Sequence, residues 1–401
     1  MSKAFENVRV IDFSQVLAGP YATAQLALLG ADVIKIEQPG NGDMMRRLTT
    51  DGEWAGRGLA PAFLGANQGK RAITLDLKHE RAREIVGRLA ESADVVVENF
   101  RPGVMKRLGF DYETIREIRP DIVYCSVSGY GQEGPKAGLP AYDGAVQASS
   151  GIMSVTGHPE SGPVRVGFMV VDMSTALHAA FAIASALYRR QVTGEGQYLD
   201  VAMNDTAIQM MNPLVSRYLV DGEVPGLVGN RTQAKQGTAD TWPTRDGHIA
   251  IAVITDRMVQ GLCRALERPD WAETERFGSV EGRIAHADAI NGEIAEVLAG
   301  GTTDTWLERL GAEGVPASPV HDVPTTLADP QLDHRDVLMR FEVPDSAAGE
   351  ITLPGVGFTA SPGAPAAERL APTLGQHTDE VLAELGYDAA EIQVLRDGGV
   401  I

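Results

Sequence analysis

One carboxylate stands out as a group placed to do chemistry. Asp172 follows an extended apolar run, Val164-Arg165-Val166-Gly167-Phe168-Met169-Val170-Val171, and opens a long helical stretch that continues to about residue 190. Two readings fit this spacing. Aspartate is among the preferred N-cap residues, so Asp172 reads as the cap of that helix. The start of a helix also carries about half a positive charge from its aligned peptide dipoles, which favours an ionised carboxylate there. An apolar approach segment leaves such a carboxylate poorly hydrated. A poorly hydrated, ionised carboxylate is suited to nucleophilic attack on an activated acyl group. The cap and the nucleophile are compatible roles.

Other reactive patterns fail on residue type. The first strand–helix turn reads Ala18-Gly19-Pro20-Tyr21-Ala22 rather than G-x-G-x-x-G, so the backbone lacks the glycines that let it approach a pyrophosphate. Ser128 has Ser126 and Tyr130 where a nucleophile elbow needs glycines. The eight histidines are dispersed, and His178 has Ser174 and Ala182 at i−4 and i+4, so no helical metal pair is expected. Cys125 and Cys263, the two cysteines, support neither a disulfide framework nor a cysteine-based zinc site.

The elements that must position Asp172 read as alternating strand and helix. Val8-Arg9-Val10-Ile11-Asp12-Phe13 is a strand, and residues 21–29 form a helix with Pro20 in its first turn and Gly30 as its stop. Asp32-Val33-Ile34-Lys35-Ile36-Glu37 is a second strand. Helical spacing over 78–92, a strand over 93–100, a short helix over 111–119 and a strand over 122–128 repeat the pattern. Alternation of this kind predicts an α/β fold with a mostly parallel, doubly wound sheet and helices on both faces. Ligands of such a sheet lie beyond the carboxyl ends of its strands. Those ends fall at 13–18, 37–43, 99–101 and 128–131.

The later part reads differently. Residues 240–253 form a strand, an Asp246-Gly247 turn and a second strand, and helices are expected at 257–266 and 292–298. A smaller α+β domain is placed at 225–325. Proline-rich extended pieces occupy 330–360, and a helix over 379–385 has Thr378 as its expected cap.

Length and charge bound the partners. The 401 residues, 44% apolar and 22% charged, suffice for two or three domains. The net charge is −19. Residues 1–190 carry 21 basic and 21 acidic side chains, and residues 191–401 carry 14 and 33. A nucleic-acid binder is disfavoured, because phosphate recognition needs a basic surface. A small anionic ligand is expected in the neutral first half. The longest mostly apolar run, 175–188, is shorter than the roughly 20 residues of a membrane span. The start, Met1-Ser2-Lys3-Ala4, leads into no long apolar stretch. A cytoplasmic protein without a signal peptide or a membrane partner is therefore expected.

Taken in order, these residues resemble the class III CoA-transferase family, which includes formyl-CoA and carnitine CoA-transferases and the related α-methylacyl-CoA racemases. The matching pieces are Val10-Ile11-Asp12-Phe13 with Ala18-Gly19-Pro20, residues 29–37, residues 70–78, Val97-Glu98-Asn99-Phe100-Arg101-Pro102-Gly103, Asp172-Met173, residues 193–197 and residues 372–378. The resemblance implies an interlocked homodimer. Each chain would have a large Rossmann-like domain whose N-terminal part spans 1–200, a linker at 201–224, the small domain, and a linker and C-terminal return over 326–401.

By position, the resemblance makes Asp172 the catalytic aspartate. It implies an aspartyl anhydride and then an aspartyl-CoA thioester, with an acyl-CoA and a small carboxylic acid as substrates and no permanently bound cofactor or metal. Segments matching the family's CoA contacts are Leu17-Ala18, Gln38, Leu75-Asp76-Leu77-Lys78, Asn99-Phe100-Arg101, Arg107 and Tyr142-Asp143. Arg101, Lys106 and Arg107 have the type to neutralise phosphates, and Phe100 to stack on adenine.

The racemase branch places a histidine base at the position of Tyr142. A phenol with an ordinary pKa of about 10 is a poor base at neutral pH, so transfer is favoured over racemisation. A catalytically inactive CoA-binding protein is the alternative of another class. Formyl-CoA transferases carry glutamine at the position of Leu17 and a glycine-rich loop; this chain departs from both, with an apolar Leu17 and only a thin candidate for the loop at 228–237. An acid larger than oxalate or formate is therefore expected, held by Arg46, Arg47 or Arg231.

Overall fold

Short β-branched runs, each followed by a helix, build a parallel sheet. The computed structural model describes residues 3–48 and 52–401. The strands are β1 (Arg9–Asp12), β2 (Asp32–Glu37), β3 (Arg71–Thr74), β4 (Val95–Glu98) and β5 (Val123–Ser128), with a sixth at Gln197–Ala202. Their spatial order is β3-β2-β1-β4-β5 followed by the sixth strand, and every pairing is parallel. This is a doubly wound order, and its direction reverses between β1 and β4.

Side chains alternate across the pleat, so the sheet feeds two cores. Ile11, Ile34, Ile73, Val96 and Tyr124 face one layer, where Ile85, Leu89, Val381 and Leu395 cover them. Val10, Val33, Val95, Val97 and Cys125 face the other, under Leu26, Ala179 and Ile183. That second layer joins α1 (Ala18–Leu28) to the long helix Val170–Thr193. Small residues at the contact, among them Ala22, Ala176 and Ala179, are fully buried and let the two helices pack closely.

The chain forms two units. The larger comprises 1–150, 167–212 and 330–401, and the smaller 151–166 and 213–329. The smaller unit holds a three-stranded antiparallel sheet, with His248–Ala252 between Ala239–Pro243 and Ala317–Pro319. Its core gathers Trp242, Leu262, Ile294 and Leu310. A fully buried Arg283 donates to Gln236 Oε1 at 2.7 Å, to the Phe277 carbonyl at 2.7 Å and to Asp256 Oδ1 at 2.6 Å.

Several expectations change. Residues 201–224, expected as a linker, are largely helical, over Met203–Met210 and Asn212–Asp221. The extended pieces at 330–360 include an antiparallel hairpin, Leu338–Val343 with Gly349–Pro354. The apolar run 175–188 lies within a helix of 24 residues with a mean hydropathy of 1.5 over its most apolar 18, so length does not rule out a span. Packing identifies it as a core helix: Ala176, Ala179, Ile183 and Ala186 are buried against the sheet and α1. The cap position of the helix Thr378–Glu384 is His377, not Thr378.

Candidate active site

The switch between β1 and β4 opens two cavities. One, of about 340 Å³, is lined by Gln15, Val16, Leu17 and Ala18 after β1, by Asn99, Phe100 and Arg101 after β4, by Val127, Ser128 and Gly129 at the end of β5, and by Met44, Leu139, Tyr142, Met203 and Asp172. The other, of about 260 Å³, is lined by Gln38 after β2, by Leu75, Asp76, Leu77 and Lys78 after β3, and by Phe100, Val104 and Arg107. Gln15 and Phe100 line both, so the two cavities adjoin.

Twelve of the thirteen binding residues expected from sequence thus line one cavity or the other, and Asp172 lines the first. The exception is Asp143. It is buried, and its Oδ2 accepts from the backbone N–H of Val171 at 2.8 Å and of Asp172 at 3.1 Å. Gln147 holds its other oxygen, Nε2 donating at 2.6 Å. A carboxylate outside the long helix therefore caps it, while Asp172 sits in the first turn after the cap position Met169. The expectation that Asp172 is itself the cap is corrected. The expectation that the helix start keeps it ionised is corrected too. Burial, and then the charge of Asp143, push its carboxyl up to about 7. The amides that would have favoured its anion are already occupied by Asp143.

Arg46 does not face a ligand. It is buried, donating through Nε to Glu37 Oε1 at 2.8 Å and through Nη1 to the Pro372 carbonyl at 3.0 Å, with its guanidinium 3.9 Å from the Phe63 ring centre. Arg47 is exposed and donates to the Gly40 carbonyl at 3.3 Å. Arg231 belongs to the smaller unit and is paired with Asp240 at 3.3 Å and Asp288 at 2.6 Å. None of the three lines the cavity of Asp172. Lys106 is exposed and lines neither cavity.

Sequence reasoning missed the residues that shape the first turn. Val16 has φ +69°, in the left-handed region that β-branched residues avoid. Asn99 brackets the preceding residue: its Oδ1 accepts from Gln15 N and its Nδ2 donates to the Gln15 carbonyl, both at 2.7 Å. Asp43 accepts from Val16 N at 3.1 Å. Lys35 Nζ donates to the Ser14 carbonyl at 2.7 Å and to Asp43 at 3.1 Å. Lys35, Asp12 and Lys70 are wholly buried, and Lys70 Nζ lies 2.8 Å from Asp12 Oδ2. Burial works against the Lys35 charge, but Asp43 and Asp12 overcome it and hold the ammonium above its ordinary range. A signal was present in the sequence: Asp12, Lys35 and Glu37 are charges inside otherwise apolar strands, and buried charges are found paired.

Gly19 completes the turn. A Cβ there would lie 2.4 Å from Ser14 Cβ, so only glycine lets α1 start this close to the end of β1. No side chain caps α1.

Fold and site together define an α/β protein with two adjoining cavities at a strand-order switch and a carboxylate lining one of them. The family model for CoA-transferase family III matches residues 5–378, and the chain belongs to that family. It is 37% identical to the succinyl-CoA:mesaconate CoA-transferase of Haloarcula marismortui over 98% of this chain and 99% of that one. It is 38% identical to the acetyl-CoA:oxalate CoA-transferase of Acetobacter aceti over 88% of this chain and 87% of that one. The crystal structure of a CAIB/BAIF family protein from Brucella suis superposes with a TM-score of 0.84 at 33% identity, covering 96% of this chain and all of that one.

Proposed function

We propose that the chain moves CoA from an acyl-CoA donor to a carboxylic acid through covalent intermediates on Asp172. The observation that carries this reading is that Asp172 lines a cavity adjoining a second cavity that bears Lys78 and Arg107. The second cavity, with Arg101 at the first, suits the phosphates of CoA, and Phe100 lies on the path between them. The thioester then reaches the cavity of Asp172.

The steps follow from the chemistry of a carboxylate and a thioester. An Asp172 oxygen attacks the thioester carbonyl, the C–S bond breaks, and a mixed anhydride and CoA thiolate result. The thiolate attacks the aspartyl carbonyl and displaces the donor acid as a carboxylate, leaving an aspartyl-CoA thioester. The acceptor carboxylate attacks that thioester, giving a new anhydride and thiolate. Attack of the thiolate on the acceptor's carbonyl yields the new acyl-CoA and restores Asp172. Each step passes through a tetrahedral oxyanion, for which backbone donors are the economical stabilisers. The uncapped start of α1, at Leu17 and Ala18, borders the same cavity as Asp172. Because relatives are named for transfer to mesaconate and to oxalate, a short dicarboxylic acid is the acceptor class proposed here.

Two copies are taken to assemble, as the family resemblance implies. Leu177, Phe181, Tyr188 and Val192 support this: they leave an apolar stripe on one side of the long helix, with Phe181 73% exposed. The free, buried cysteines Cys125 and Cys263 suit a cytoplasmic setting.

The test is covalent trapping. Incubation with succinyl-CoA or acetyl-CoA, a hydroxylamine quench and peptide mass spectrometry are expected to mark Asp172, and Asp172→Ala is expected to abolish transfer to a panel of mono- and dicarboxylic acids. Transfer that survives in Asp172→Ala, or exchange of an α-proton with deuterated solvent in the absence of transfer, overturns the reading.

A further inference from the structure

The turn that follows β1 is held from three sides, by Lys35 and Asp43, which line neither cavity, and by Asn99, which lines the first. Ser14 is held through its carbonyl by Lys35, Gln15 through both backbone groups by Asn99, and Val16 through its N–H by Asp43. Val16 alone is in a backbone conformation that its side chain disfavours. A strained residue persists only where its surroundings overdetermine it. Asp43 is 1% exposed and its pairing with Lys35 is wholly buried, so this acceptor is fixed as well as charged. Asp43 also opens the next short helical turn, accepting from Met45 N at 3.0 Å, and its own N–H donates to Glu37 Oε1 at 2.9 Å. Its backbone is thus fixed by Glu37, and its carboxylate cannot shift without releasing Met45 N.

We infer that Asp43 is a positioning residue for the transfer reaction, holding Val16 in its left-handed conformation so that Leu17 and Ala18 present the start of α1 to the acyl group on Asp172. Released from Asp43, Val16 relaxes to negative φ and rotates the peptide that leads into Leu17. The cavity then keeps its walls but loses the alignment needed in the transition state. The effect falls on kcat more than on the KM for the acyl-CoA, because the CoA-side cavity draws on the turn only through Gln15. The inference rests on Asp172 being the acyl acceptor.

A double-mutant cycle separates this role from a purely structural one. Glycine accepts positive φ without penalty, so V16G removes the need for a clamp. D43A is expected to lower kcat at least tenfold while leaving the KM for the acyl-CoA within about threefold. Placed on V16G, the same substitution is expected to lower kcat less than threefold. An equal loss from D43A with and without V16G overturns the inference. A readout that needs no activity is the backbone itself. In a crystal structure of D43A, Val16 is expected at negative φ, and finding it unchanged overturns the inference even if Asp172 is trapped as the acyl carrier. Should D43A fail to fold, V16P leaves the Lys35–Asp43 pair in place and forbids positive φ. It is expected to reduce kcat at least a hundredfold with retained binding of desulfo-CoA, and wild-type turnover in V16P overturns the inference. Should wild type itself fail to label at Asp172, the transfer reading fails, while the φ measurement still judges the clamp.

Discussion

At the scale of single residues, the site turns on which carboxylate receives the helix amides. Asp143 takes them, and Asp172 is left half-buried beside a like charge. The nucleophile must be the anion, so a group raised to about 7 is mostly protonated and inactive at pH 6 and mostly competent at pH 8. The rate with saturating acyl-CoA is therefore expected to rise with pH through about 7. D143N removes the like charge and leaves an oxygen to cap the helix. It is expected to move that rise to lower pH by about one unit, the scale of a neighbouring charge. Glu98, which burial also raises to about 7, titrates in the same range. Asp143 is not among the groups acting on Glu98, so a profile that stays fixed in D143N would assign the rise away from Asp172. The raised value is also useful chemically: a carboxylate that is a stronger base in its site is a stronger nucleophile towards a thioester.

At the scale of elements, close approach of β1 and α1 puts the turn against Asn99, where a Cβ on Gly19 would come within 3.4 Å of the Asn99 side chain and within 2.4 Å of Ser14. Gly19→Ala is expected to push the start of α1 away, costing about 1–3 kcal/mol of stability, the usual range for overpacking. Transfer is expected to fall further than that loss explains at a temperature where the variant is folded. Unfolding curves with parallel initial rates check this, and an active, wild-type-like Gly19→Ala would remove the glycine from the argument. The strands of this layer were legible because β-branched runs are bounded by turn residues: β2 falls at residues 32–37 as read. Of the strand ends chosen as ligand-binding positions, residues 15–18, 37–38, 99–101 and 128–129 line the cavities, and the end of β3 at 75–78 joins them. What was not legible has physical causes. β3 is only four residues, Arg71-Ala72-Ile73-Thr74, too short to show a period. The strand Gln197–Ala202 alternates with polar residues and resembles an exposed edge. The cap of the long helix comes from 29 residues earlier in the chain, and no local pattern encodes that. The same holds for the Asp43 clamp, and a buried Arg46 cannot be told from a ligand-binding one before its partner Glu37 is in place.

At the scale of the whole molecule, the larger unit draws on three separated segments, with an apolar stripe along its longest helix. If that stripe is the contact between two copies, Phe181→Glu is expected to convert a dimer to a monomer in sedimentation or light scattering, at little loss of thermal stability, because Phe181 is largely exposed in the single chain. A monomeric wild type, or a dimer unmoved by the substitution, would place the contact elsewhere. The unequal charge belongs to this scale too. The acidic excess lies beyond residue 190, whereas the residues lining the two proposed ligand cavities fall almost entirely before it.

One feature of that unit bears on how the protein is made. The wall of the CoA-side cavity at residue 76 hangs on the far end of the chain, since Asp76 N donates to the Val400 carbonyl at 2.8 Å. Arg71 meets Glu380 and Glu384, and Thr74 N donates to Thr378 Oγ1 at 3.1 Å. Contacts spanning more than three hundred residues are slow to find and leave their strand unprotected while they wait. During synthesis, β3 stands as a bare sheet edge until residues 377–400 have been made. The interval in which a nascent chain is open to chaperones and proteases is thus set by the distance from residue 71 to residue 400, and it closes at the wall proposed to grip the nucleotide.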